Sequence, residues 1–234
     1  MAQWMGEYLF GKPLIITHNK ASLNESEVVL NYSSEPLPFN NFQIHPHSLL
    51  LETGIRQQAI YVKKDKSQPY FFETPGDFYF DILAASFYLM QRYEEYLPYE
   101  KDQYGRYGHK NSIAFKENFL HLPLVDLWME EFKKALLAKF LTLQFVDRNF
   151  KFIPTYDIDI AYSYKGKGVV RNFGRTIKFM LKGQWKNVAE CIKVLCGNES
   201  DPYDVYKELD ELHQGHHLNP IYFFLLAGHQ KGYD

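Results

Sequence analysis

Cysteine is scarce: Cys191 and Cys196 are the only two in 234 residues. Their spacing is not that of a CxxC pair, so neither a disulfide framework nor a thiolate zinc site is expected to hold the fold. Both read as reduced and structural. Long apolar runs are missing too, since nothing approaches the roughly 20 residues of a membrane-spanning helix. The opening MAQWMGEYLFGKPLII lacks the basic stretch followed by an apolar run that marks a secretory leader. The chain therefore reads as cytoplasmic, without membrane insertion. Nor is charge of one sign in excess: 26 Lys and Arg stand against 28 Asp and Glu, a formal net charge of -2. That balance gives no electrostatic reason to expect nucleic acid or an anionic membrane surface as a partner.

What the chain does have is apolar and aromatic substance. Hydrophobic residues make up 46% and aromatics 17%, which excludes disorder as a description of the whole. The length suffices for one large or two modest domains. Exposed rings could stack on sugars, although burial is the commoner use of an aromatic side chain.

The pattern changes near residue 150. Residues 1–150 read as a mixed α/β domain, with short strands at KPLIITH and QAIYVKK and turn-rich stretches at NYSSEPLPFNN and DKSQPYFFETPGD. A helix is expected over DILAASFYLMQRYEEYL, capped by Asp81, with Leu83, Phe87, Met90 and Leu97 at near-helical intervals. A second is expected over PLVDLWMEEFKKALLAKF, with Pro123 in its first turn and Leu124, Trp128, Phe132 and Leu136 on one face. Between them KDQYGRYGHKNS reads as a solvated loop. Residues 151–234 read as strand, three helical segments and strand: FKFIPTYDI, then VVRNFGRTIKFMLKG, WKNVAECIKVLCG and PYDVYKELDELHQ, then NPIYFFLLAG. That order is a β-α-β arrangement with parallel strands. The 84 residues from 151 onward are fewer than the roughly 200 of a closed parallel barrel.

The end of the first of these strands carries Asp157 and Asp159 in IPTYDIDIAY. Side chains two apart on a strand share a face, and the carboxyl ends of parallel strands are where α/β folds place their chemistry. Three readings fit the pair. One carboxylate binds a divalent metal while the other accepts a proton from metal-bound water. The two act as acid and base of a glycosidase, although same-strand neighbours do not readily flank a bond. Or both simply cap turns after the strand.

The stretch FIPTYDIDIAYSYKGKG, followed by RNFGRTIKFMLKG, DPYDVYKELDELH and NPIYFFLLAG, resembles the start of bacterial polysaccharide deacetylase domains of the NodB-homology, carbohydrate esterase family four type. It is most similar to a subgroup whose first motif reads T-[HY]-D-[VI]-D-x-A-Y. The preceding region, with IHPHSLLLETGI, the RYEEYLP segment and LHLPLVDLWMEEF, is similar to the domain of unknown function found before the deacetylase in that subgroup. The resemblance implies a distorted (β/α) barrel, of which residues 151–234 are the first β-α-β portion. It also implies a divalent metal, usually zinc, held by an aspartate and two histidines, whose bound water attacks an acyl carbonyl on a sugar. Asp157 would be the catalytic base and Asp159 the metal ligand.

The implied histidines lie on a later H-x-x-x-H motif, so the chain reads as the early part of a longer hydrolase, inactive by itself and binding an acylated polysaccharide only as part of the whole. His213 and His217 are four apart but precede the second strand, and a solvated helix end is the reading favoured for them. His229 follows that strand singly. His45 and His47 read as loop histidines. Arg92, Glu94 and Glu95 read as solvent-facing helical pairs. A strand pair left with Tyr222, Phe223, Phe224, Leu225 and Leu226 uncovered suggests self-association through the incomplete sheet. The alternative function is a non-catalytic module binding carbohydrate or protein.

Overall fold

The computed structural model describes residues 1–24, 27–65 and 68–225. The protein is mixed α/β, with three two-stranded sheets among these residues and no closed barrel. It divides into two compact units, Met1–Arg148 and Asn149–Asp234.

In the first unit the expected helix after Pro123 forms as α4 (Leu124–Lys139), and the four-residue spacing of its large side chains decides its packing. Leu124, Trp128, Phe132 and Leu136 fall on one face, and all four are buried. Trp128 meets Phe71 and Phe80 at ring centroid distances of 5.6 and 5.1 Å and donates its indole N–H to the Pro69 carbonyl at 2.9 Å. Phe132 packs edge-on against Phe42 and Phe78. Aromatic contacts of this kind contribute about 0.5–1.5 kcal/mol each beyond area burial, so this cluster is the unit's main anchor.

Asp81 caps α2 (Ile82–Met90) as expected, accepting the Ala84 N–H at 3.0 Å. Its second oxygen takes the Tyr32 hydroxyl and the His47 N–H, both at 2.7 Å. Burial raises this carboxyl above its ordinary range, against the pull of those donors. The helix expected to run to Leu97 stops at Met90, because Arg92 adopts a left-handed backbone (φ 52°) and a short 3-10 turn, Tyr93–Tyr96, follows. A four-residue helix, α3 (Ile113–Lys116), precedes α4.

The strands of this unit are shorter than the sequence pattern suggests. KPLIITH is not a strand: it finds no pairing partner, and Ile15 is almost fully exposed. QAIYVKK contributes only its end to β3 (Lys63–Asp65), which pairs antiparallel with β4 (Gln68–Tyr70). A pair not expected, β1 (Leu30–Tyr32) and β2 (Phe42–Ile44), runs parallel; β1 takes in the first two residues of the NYSSEPLPFNN stretch read as turns, and β2 follows its end. Also unexpected is α1 (Ala2–Phe10), bonded to α4 by the Tyr8 hydroxyl on Asp126 at 3.0 Å.

In the second unit β5 (Thr155–Ile158) and β6 (Ile221–Phe224) pair in parallel, in register from Thr155 with Ile221 to Ile158 with Phe224. The crossover consists of α5 (Val169–Leu181), α6 (Trp185–Leu195) and α7 (Tyr206–Gly215). β5 begins only after Pro154, whose carbonyl accepts the Ile221 N–H at 2.9 Å. Tyr164, Cys191 and Val194 form a small core with Phe179 against it. Of the two cysteines taken as structural, Cys191 is buried and Cys196 is exposed on the surface.

Candidate functional site

Strand alternation divides the β5–β6 pair into two unlike faces. On one, Tyr156 and Tyr222 stack at 5.1 Å, and α7 covers them with His213, whose Nε2 lies 2.9 Å from the Tyr156 hydroxyl. On the other, Thr155 and Asp157 stand beside Ile221 and Phe223, and all four are exposed. Asp157 therefore sits on the open face near the carboxyl end of its strand. Asp159 follows one residue past the strand, exposed at a bend.

The expectation of a solvated helix end at His213 and His217 fails for the first of them. His213 is 3% exposed, because the helix turns it onto the aromatic face of the strand pair. His217 is exposed with a positive φ of 53°. The two therefore form no metal pair, and His213 lies on the face opposite Asp157. His229 and Leu226 lie outside the described residues. No group of three or more His, Cys, Asp or Glu suited to a metal ion occurs among the described residues. Asp157 and Asp159 alone do not complete the three-protein-ligand set of a catalytic zinc.

The loop after Asp159 is fixed by a residue that the sequence reading passed over. Asp201, 2% exposed, accepts backbone N–H bonds from Ser163 and Tyr164 at 2.7 Å each, from Tyr203 at 3.0 Å and from Lys165 at 3.1 Å. Burial raises its carboxyl, but the four donors outweigh that and hold it at about 2. Arg175 donates to the Ser163 carbonyl at 2.6 Å, Asn172 to the Tyr164 carbonyl at 2.9 Å and Tyr206 to the Ala161 carbonyl at 3.2 Å. The signal available was the Asp-Pro pair at 201–202, a common turn opening, which says nothing of where the carboxylate reaches.

In the first unit, Arg92 and Glu95 form the expected surface ion pair, but Glu94 does not face solvent. The left-handed Arg92 turns it inward, where it accepts the N–H of Ile113 at 2.9 Å and caps α3. Burial raises its carboxyl above the usual range, against that bond and the nearby Lys116. His47 stacks on Phe72 at 4.0 Å and does not pair with His45 in a metal group. A cavity of about 530 Å³ lies among Phe10, Leu14, Leu30, Leu136 and Phe145, and Lys12 is the one charged residue of its lining.

The chain is thus a two-unit α/β protein whose second unit presents Asp157 on the uncovered side of a parallel strand end, with Asp159 exposed at the bend that follows. Residues 1–141 match a family of unknown function, DUF7033, and the chain belongs to that family. No curated protein and no solved structure matches it. No helix of the described residues is long and apolar enough to cross a membrane.

Proposed function

We propose that the second unit opens the distorted (β/α) barrel of a metal-dependent polysaccharide deacetylase, a hydrolase removing N- or O-acyl groups from a saccharide. The observation that carries this reading is the asymmetry of the β5–β6 pair. The crossover helix covers the tyrosine face, and Asp157 stands on the other face at the carboxyl end, the side from which parallel α/β folds build sites. The resemblance of TYDIDIAY to the first deacetylase motif supports the same reading and gives the roles: Asp157 the base, Asp159 a ligand of zinc or another divalent metal.

The described residues do not fit a whole zinc site, so the imidazoles that the resemblance implies would come from outside them. Asp201 ties down the backbone from Ser163 to Lys165, beginning four residues after Asp159. Zinc titration calorimetry tests the roles. Zinc binding should weaken at least about tenfold in Asp159→Ala, while Asp157→Asn stays near the parent. Zinc bound with equal affinity by the parent and Asp159→Ala removes Asp159 from the ligand set.

A further inference from the structure

Residues 165–186, KGKGVVRNFGRTIKFMLKGQWK, hold seven of the 26 Lys and Arg and none of the 28 Asp and Glu. The chain-wide charge of -2 averages this concentration away. Helix α5 sorts the segment into three arcs. Asn172, Thr176 and Phe179 form the packed arc: Asn172 is buried, Thr176 Oγ1 lies 3.6 Å from Cys191 Sγ on α6, and Phe179 joins the small core. Arg171, Arg175 and Lys178 form a basic arc. Val169, Val170, Phe173, Ile177, Met180 and Leu181 form the third, about 120° wide. That third arc, the most apolar, is turned away from the core. Val170 is 88% exposed, Phe173 67% and Leu181 83%, and Trp185 at the start of α6 is exposed beside them.

Three of the cations around this arc have no ion-pair partner among the described residues. Lys165 pairs with Asp204 at 3.0 Å, but Lys178, Lys182 and Lys186 take part in none of the ion pairs among the described residues. Burial first, then the neighbouring Arg175 and Arg171, push the Lys167 ammonium below its ordinary range.

We propose that α5 and the start of α6 form an interfacial anchor that lies on an anionic lipid bilayer, with the apolar arc in the acyl boundary and the flanking cations at the lipid phosphates. The occupant has to supply an apolar medium bordered by a dense layer of anions, and a bilayer surface containing anionic lipid does both. A second copy of this chain meets the arc with the same seven cations and no anions, so like charges oppose that pairing. Nucleic acid supplies the anions but no medium for Val169, Val170, Ile177 and Leu181. The anchor is separate from the Asp157 site and stands whether or not that site binds metal.

The test is flotation of the whole chain with vesicles of phosphatidylcholine alone and with about 30% phosphatidylglycerol added, at about 0.1 M and 0.5 M salt. Binding to the anionic vesicles at the lower salt, at least about tenfold above that to phosphatidylcholine, is expected. Lys178→Ala with Lys182→Ala should weaken it roughly 25-fold, about fivefold per cation. Phe173→Asp with Leu181→Asp, both on the exposed arc, should abolish it with the circular dichroism spectrum unchanged. Equal binding to both vesicle types, binding by the Asp variant as by the parent, or no binding to either overturns the proposal. So does lipid-free dimerisation, seen by light scattering, that the Asp variant abolishes, because the arc would then be a self-association surface.

Discussion

Replacing Asp201 should release the loop after Asp159 without unfolding the chain. Its carboxylate gathers four backbone N–H groups at 2.7–3.1 Å. In Asp201→Ala all four lose their acceptor. The Tyr164 N–H is buried and cannot regain one from water, which costs about 1–3 kcal/mol. The other three are partly buried and recover solvent bonds, losing about half as much between them; taken together the loop should open about 2–4 kcal/mol more easily. That corresponds to a roughly 30- to 1000-fold faster amide hydrogen exchange at Ser163, Tyr164 and Lys165, read by mass spectrometry on the parent and variant. Asp201→Asn should fall between, since its amide keeps one acceptor oxygen but turns an NH2 toward the donors. Unchanged exchange at these residues in Asp201→Ala would refute the reasoning, because the donors would then have other partners. The pH dependence has a fixed sign. The folded carboxyl is held at about 2, below its ordinary value, so its contribution is present above pH 4 and disappears as pH falls from about 4 towards 2. A carbon-detected NMR titration with a midpoint near the ordinary 3.9 would contradict the four-donor account.

Trp128→Phe should cost the first unit about 2–3 kcal/mol in urea unfolding, from the bond to the Pro69 carbonyl and the lost indole volume; a cost under about 0.5 kcal/mol would mean that the core closes over the gap. Gly6→Ala should destabilise despite a helix preference worth about 1 kcal/mol, because an added Cβ would lie 2.7 Å from the Leu14 nitrogen; a raised melting temperature would show that the Leu14 segment moves freely. Glu94→Gln should hold or gain stability at neutral pH while Glu94→Ala loses about 1–2 kcal/mol, since glutamine keeps an acceptor for the Ile113 N–H and removes a charge whose pKa burial has raised. The Glu94 carboxyl favours the fold more as pH falls, so the advantage of Glu94→Gln should vanish below about pH 4, and persistence there would contradict it.

Local chemistry with a clear period was legible. Four large apolar residues at four-residue spacing announced α4, and Asp81 announced the start of α2. The β-α-β order after residue 150 was readable because its strands are apolar and its helices separate at Gly183 and Gly197. What failed depended on contacts distant in sequence. α1 has no side-chain cap, and Gly6 in its middle argues against a helix until the close approach of Leu14 explains it. The β1–β2 strands are three residues each, too short to show a period. The end of α2 at Met90 rests on the left-handed backbone of Arg92, a non-glycine residue that gives no such signal. In the site, the placement of Asp157 on a strand was foreseeable from alternation. The burial of His213 was not, because Gly215 and a histidine-rich end suggest solvent, while the decisive partner, Tyr156, lies 57 residues away. The turn of α5, apolar arc outward and polar Asn172 and Thr176 inward, likewise inverts what amphipathicity alone predicts.

The unlike faces of β5 also limit how the protein can vary. A strand slipped by one residue against β6 exchanges its two faces, so Asp157 would be driven beneath α7 against His213 and Tyr156 would swing out to solvent. Inserting or deleting a residue within Thr155–Ile158 forces that exchange. The same change among residues 149–153, ahead of Pro154, leaves the tyrosine stack to set the pairing. Length variation should therefore be tolerated upstream of Pro154 and rejected four residues later, an asymmetry that a scan of single-residue insertions would map directly.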